Sequence, residues 1–192
     1  MPGPSLNFGH QLTAVDTRLK MDHAPIVKSL LWPDESATRL FAAALAAQPA
    51  LRHAFIALHG ELGAGKTTLV RHLLRALGVP GRVKSPTYAL VEPYELVDLT
   101  VWHFDFYRFS DPREWEDAGF RDIFASPGLK LAEWPEKAAG FIPPADLVID
   151  LEVLQDESRQ VTLRAQTEIG LALLASANPD PTPRQAEPED PS

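Results

Sequence analysis

The sequence predicts an α/β fold, with helices flanking a central sheet that is partly parallel and partly antiparallel. Three observations predict it. Apolar residues recur at helical spacing in some stretches and form short strand-like runs in others. Phe55–Leu77 reads as a strand, a loop and a helix in direct succession. Further on, two strand candidates are joined by only about six residues, too few for a parallel crossover, so this pair is expected to be antiparallel.

In chain order, Asp34–Ala47 reads as the first helix. Leu40, Phe41, Ala44 and Leu45 share its apolar face, and Asp34 or Ser36 serves as its cap. Phe55–His59 is a short buried-strand run. Lys66–Leu77 places Leu69, Val70, Leu73, Leu74 and Leu77 on one helical face, and Gly78 followed by Pro80 ends it. Tyr88–Tyr94 and Val101–Tyr107 form the antiparallel pair. Asp111-Pro112-Arg113-Glu114 carries a cap, a proline at the first helical position and a capping-box acid. Leu129–Trp134 is a further strand. Asp146–Leu154 and Gln160–Thr167 make a hairpin across Gln155–Ser158, and Glu168–Ala175 a closing helix.

The chain has 192 residues, enough for one domain of ordinary size. That domain is expected over residues 26–175. Residues 1–25 read as a poorly ordered extension. Residues 176–192 read as a disordered acidic tail, with five prolines, four acids and no large apolar residue to offset ordering entropy.

Lysine and arginine total 18 against 26 acids, a net charge of −8, which argues against wrapping nucleic acid by bulk charge. The charge is uneven. Positions 62–91 hold Lys66, Arg71, Arg75, Arg82 and Lys84 and no acid, whereas positions 92–122 hold nine acids and three arginines. The absence of cysteine excludes disulfides, a Cys-based metal site and a thiolate nucleophile, and fits a reducing compartment. No apolar run approaches the ~20 residues that span a bilayer. The N-terminus lacks a charged segment followed by an apolar block. A cytoplasmic protein with no membrane association is the expectation.

Gly60-Glu61-Leu62-Gly63-Ala64-Gly65-Lys66-Thr67 fits G-x-x-x-x-G-K-[ST], between a strand and a helix as the phosphate loop (P-loop) requires. Glycines let successive N–H groups turn toward phosphate oxygens, and the helix N-terminus adds partial positive charge. The expected nucleotide-binding residues are Glu61, Leu62, Gly63, Ala64, Gly65, Lys66, Thr67 and Thr68. Lys66 reaches the β- and γ-phosphates, and the Thr67 hydroxyl ligates Mg²⁺. A guanine-reading Asn-Lys-x-Asp motif is missing, since the only asparagines are Asn7 and Asn178. ATP is therefore the expected nucleotide, in a single P-loop NTPase-like domain.

Such a site also needs an acid beside Mg²⁺ and a group that orients the attacking water. In Val101–Arg108, alternation puts His103 and Asp105 on one face and Trp102, Phe104 and Phe106 on the other. Asp105 is the metal-side acid. His103-x-Asp105 alone makes a poor metal site, having two ligands and no others at useful spacing. Glu133 ends an apolar strand; it is either a solvated strand tip or a water-orienting carboxylate. Ser85-Pro86-Thr87-Tyr88 is either a turn entering a strand or a switch loop whose Thr87 touches Mg²⁺ or the γ-phosphate. Arg108 is open between a charge-stabilising arginine and a partner for Asp111 or Glu114.

These residues together resemble the TsaE (YjeE) family of P-loop ATPases in bacterial tRNA threonylcarbamoyladenosine synthesis. The resemblance rests on four motifs in order: Gly60–Thr68, Ser85–Tyr88, His103–Arg108 and Glu133–Glu136. It implies weak, Mg²⁺-dependent ATP hydrolysis in a partner-dependent enzyme. It implies the TsaD–TsaB heterodimer as partner, with TsaD performing the carbamoyl transfer, ATP resetting the pair, and tRNA contacted only indirectly or weakly. It also implies Thr87 as a switch residue, Asp105 as the Walker B-like acid, and Glu133 as the water-orienting residue and a metal-side group. Trp134 is implied beside the nucleotide, with core packing as its alternative. Ala132 departs from the family, which usually has a larger apolar residue or an acid there. A small-molecule P-loop kinase would need an arginine-rich lid, and after Arg121 the chain has only Arg159, Arg164 and Arg184. A nucleotide-gated binding module without turnover is the other alternative.

Overall fold

Seven strands form one sheet in the order β1-β7-β6-β2-β5-β4-β3 in a computed structural model that describes residues 26–176. The strands are β1 (Ile26–Trp32), β2 (Phe55–His59), β3 (Val91–Glu95), β4 (Thr100–Asp105), β5 (Leu129–Glu133), β6 (Leu147–Val153) and β7 (Arg159–Ala165). The helices are α1 (Glu35–Ala46), α2 (Lys66–Ala76), α3 (Pro112–Asp117), α4 (Phe120–Ala125) and α5 (Glu168–Ser176). The expected extensions at residues 1–25 and 177–192 lie outside the described residues.

β6, β2, β5 and β4 run parallel at the centre. β3 closes one edge antiparallel to β4, as the short connection requires. β7 and β1 close the other edge, each antiparallel to its neighbour. The mixed sheet predicted from sequence is thus the sheet observed, and the β6–β7 hairpin is one of its elements.

Alternation along each strand divides two cores. Ile56 and Leu58 of β2, Leu129 and Leu131 of β5, and Leu147 and Ile149 of β6 pack with Leu69, Val70, Leu73 and Leu74 of α2. Phe55, Phe104, Phe106 and Ala132 face the opposite way, against Trp115, Phe120 and Phe124. The rings of Phe104 and Phe124 stack with centroids 4.9 Å apart, and Phe55 meets Phe124 edge-on at 5.0 Å. Ala132 lies opposite Ala57 and Phe104 in the ladders, so a small residue here leaves room for the aromatic cluster.

The presence of β1 and of α4, the start of β3 and the inward face of α1 differ from the sequence reading. β1 was not anticipated: most of it is exposed or half-exposed at the sheet edge, which weakens its apolar signal. The strand expected from Tyr88 begins only at Val91. Residues 86–90 form a turn in which the Leu90 N–H donates to the Pro86 carbonyl at 2.7 Å, and Leu90 sits at φ 62°. On α1, Thr38, Phe41, Ala42 and Leu45 face inward while Leu40 points to solvent, a rotation of the expected face. Asp34 rather than Ser36 caps this helix, accepting from the Ala37 N–H at 3.0 Å.

A buried carboxylate ties the sheet to the last helix. Asp146 accepts from the Phe55 N–H at 2.7 Å and from the Thr167 hydroxyl at 2.7 Å, and Thr167 in turn accepts from the Gly170 N–H at 3.2 Å. α5 crosses so closely that a Cβ on Gly170 would stand 1.9 Å from the Asp146 carbonyl oxygen. Gly170→Ala is expected to cost about 1–3 kcal/mol, because backbone rather than a flexible side chain must move. A thermal melt would register this as a Tm several degrees lower, and an unchanged Tm would contradict the close approach.

Candidate functional site

β2 ends where its two neighbours, β6 and β5, both run parallel to it, so its C-terminal end opens into a crevice. The glycine-rich loop starts there. Gly60 takes φ 137°, and a Cβ on it would stand 2.4 Å from the Leu151 carbonyl oxygen. Only glycine meets both demands. Gly65, at φ 109°, precedes α2, so the loop delivers Lys66 and Thr67 at the helix N-terminus.

Lys66 is buried. Its ammonium donates to the carbonyls of Gly60 and Glu61, the latter at 2.9 Å, and lies 3.9 Å over the Trp134 ring. Burial pushes the ammonium below its ordinary pKa, while the carboxylates of Glu133, Glu136, Asp105 and Glu61 oppose that shift.

The two acids singled out from sequence come from neighbouring strand ends. Asp105 of β4 is in register with Glu133 of β5, and both side chains are buried on the α2 side. Thr67 Oγ1 lies 2.9 Å from each Glu133 oxygen and donates to that carboxylate. Asp105 Oδ2 accepts from the hydroxyls of Ser85 and Thr87, the latter at 2.7 Å, and Oδ1 accepts from the Tyr107 N–H at 3.0 Å. The 85–87 segment is therefore fastened to the strand end that carries Asp105. A cavity of about 330 Å³ is lined by Leu62, Gly63, Lys66, Thr67, Thr87, Asp105, Glu133 and Trp134, among others. Of the site residues expected from sequence, Gly65 and Thr68 also line it, Ala64 lines a second cavity, and Glu61 and Arg108 line neither. The Arg108 guanidinium sits 4.6 Å over the Tyr88 ring, and Asp111 is engaged by Arg113 instead.

Sequence reasoning missed two features. His103 Nε2 lies 2.9 Å from Glu133 Oε1, both groups being buried. A second cavity adjoins the loop, lined by Trp32, Asp34, Glu35, Thr38, Ala64, Gly65, Thr68, Leu151 and Arg159. The alternation of β4 had aimed His103 to the correct face, but its partner sits on a strand that only the sheet order brings alongside. The second cavity joins the ends of β1 and β7 to the loop, and β1 carried no clear strand signal.

The sequence profile described as "Threonylcarbamoyl adenosine biosynthesis protein TsaE" matches residues 32–161. Curated relatives carry the name tRNA threonylcarbamoyladenosine biosynthesis protein TsaE. The one from Haemophilus influenzae is 44% identical over 119 residues, covering 62% of this chain and 75% of its own. The one from Bacillus subtilis is 34% identical over 110 residues, covering 57% and 68%. Among solved structures, the crystal structure of Bacillus subtilis YdiB superposes with a TM-score of 0.65 at 23% identity, covering 81% of this chain and 97% of that one, which shows a shared fold.

Asp105→Ala removes the acceptor that fastens Ser85 and Thr87. Amide exchange over residues 82–90 is expected to accelerate while α2 and β2 keep their protection. Unchanged exchange in that segment would mean that the carboxylate does not hold it.

Proposed function

This chain belongs to the TsaE family, and from that premise we propose that it is a Mg²⁺-dependent ATPase supporting N6-threonylcarbamoyladenosine formation in tRNA. The biosynthetic role named for its relatives supports the pathway. The observation that carries the nucleotide chemistry is the meeting of the glycine-rich loop with two acids on adjacent strand ends.

In this reading the backbone N–H groups of residues 61–68 bind the phosphates and the α2 N-terminus favours their charge. Lys66 gives up its carbonyl contacts and turns to the β- and γ-phosphates; the negative charge there offsets the burial that otherwise lowers its proton affinity. Thr67 and Asp105 would hold Mg²⁺. The residues fit this role: the Thr67 hydroxyl and the Asp105 and Glu133 carboxylates are hard oxygen donors lining one cavity, the donor type that Mg²⁺ prefers. When bound with ATP, the ion supplies charge neutralisation at the phosphate oxygens. Glu133 lines the same cavity, where it would orient the attacking water from the metal side. Thr87 senses the γ-phosphate through its link to Asp105. Trp134 packs beside the nucleotide and covers Lys66. The second cavity, continuous with Gly65 and Thr68, takes the nucleoside end.

ATP turnover resets the TsaD–TsaB pair in the cytoplasm, and the carbamoyl transfer itself belongs to TsaD. An acidic chain that reaches tRNA through its partners accords with the charge of −8. Among the described residues no helix is long and apolar enough to cross a membrane.

Lys66→Ala is expected to abolish ATP-dependent modification, because the phosphates lose their principal side-chain counter-charge. Nucleoside mass spectrometry of tRNA incubated with the chain, TsaD–TsaB and ATP would show it. Undiminished modification would overturn the assignment of the site.

A further inference from the structure

His103 has no part in binding the nucleotide in the scheme above, yet it is completely buried at the site's floor. It sits two residues before Asp105 on β4 and opposite Leu131 in the β4–β5 ladder, so its ring reaches the Glu133 side chain from the neighbouring strand. Nε2 is 2.9 Å from Glu133 Oε1. Nδ1 is buried and has no hydrogen-bond partner. The ring therefore makes one polar contact, and that contact is with the carboxylate assigned to the attacking water.

A buried imidazole is an expensive way to fill a core position. A leucine would fill similar space without an orphaned nitrogen. The tautomer assigned by the network carries its proton on Nε2 and donates to Glu133, leaving only a lone pair unpaired at Nδ1. Glu133 Oε1 then accepts from His103 Nε2, while the single Thr67 hydroxyl proton is shared between Oε1 and Oε2. Apart from Thr67, His103 is the one side chain among the described residues that donates to this carboxylate.

We propose that His103 is a positioning residue, whose Nε2–H holds Glu133 Oε1 so that Oε2 stays aimed at the water during ATP hydrolysis. This rests on the ATPase reading above. It assigns His103 no contact with nucleotide or metal and no transfer of a proton. Losing the donor leaves a glutamate free to rotate about its outer torsions. The water is then misaligned while the phosphate loop stays intact.

The test compares His103→Leu, His103→Gln and His103→Asn in the full chain, with TsaD–TsaB present. A glutamine amide nitrogen reaches the place of Nε2, whereas an asparagine amide falls short, near Nδ1. Three quantities are read for each variant: ATP affinity, kcat for hydrolysis and Tm. His103→Leu and His103→Asn are expected to keep ATP affinity within about threefold and lose roughly 10–100-fold in kcat, the range for removing a supporting hydrogen bond. His103→Gln is expected to recover most of kcat. Wild-type kcat in His103→Leu would overturn the inference. So would a recovery that follows Tm rather than the reach of the amide, or a loss confined to ATP affinity. If wild type binds ATP but never hydrolyses it, the ATPase reading falls and takes this inference with it. If wild type turns over and the variants match it, only this inference falls.

Discussion

Two carboxylates at the ends of adjacent parallel strands are the constraint around which the site is arranged. Strands in a sheet lie about 4.8 Å apart, so Asp105 and Glu133 emerge side by side, and both are buried. Like charges in that position are unfavourable unless donors and cations surround them. The chain provides these with five side chains from three directions: Lys66 and Thr67 from the glycine-rich loop, Ser85 and Thr87 from the following loop, and His103 from within the sheet. Of these donors, Lys66, Thr67 and Thr87 also line the cavity beside the glycine-rich loop, whereas His103 is buried and bonds only Glu133. The same network that makes the carboxylates tolerable without ligand is the one that rearranges around it.

Sheet order is what makes this possible. A parallel centre points four strand ends the same way, and the crevice beside β2 receives the loop and the acids together. The antiparallel edges serve that centre. β3 turns the chain back so that β4 follows the 85–90 segment closely, and the Asp105 N–H donates to the Leu90 carbonyl at 3.0 Å. The aromatic cluster on the far face anchors β4 through Phe104 and Phe106, the residues on either side of Asp105. The position of that carboxylate is thus set by packing on the opposite face of the sheet.

Local features were legible in the sequence and non-local ones were not. The phosphate loop was plain because its glycines, lysine and threonine are contiguous. The alternation of β4 correctly separated His103 and Asp105 from the phenylalanines. Tyr88-Ala89-Leu90 read as strand because its residue types suit one, but the Leu90 conformation at φ 62° turns the chain there. The roles left open for Glu133 and Thr87 depended on neighbours 66 and 18 residues away, respectively Thr67 and Asp105. No spacing rule supplies such pairs; the first follows from β2 lying beside β5, and the second from β3 and the loop before it pairing with β4. Arg108 shows the same limit, since stacking on Tyr88 was not among the partners its local sequence offered.

The proposed function rests on one central claim, that Glu133 makes ATP turnover possible and that turnover drives repeated rounds of tRNA modification. The most direct measurement is multi-turnover threonylcarbamoyladenosine formation by TsaD–TsaB with Glu133→Ala in place of the wild-type chain, read by mass spectrometry. The account predicts that the variant still binds ATP but that modification stops near one round per TsaD–TsaB pair. Continued modification at the wild-type rate would contradict it.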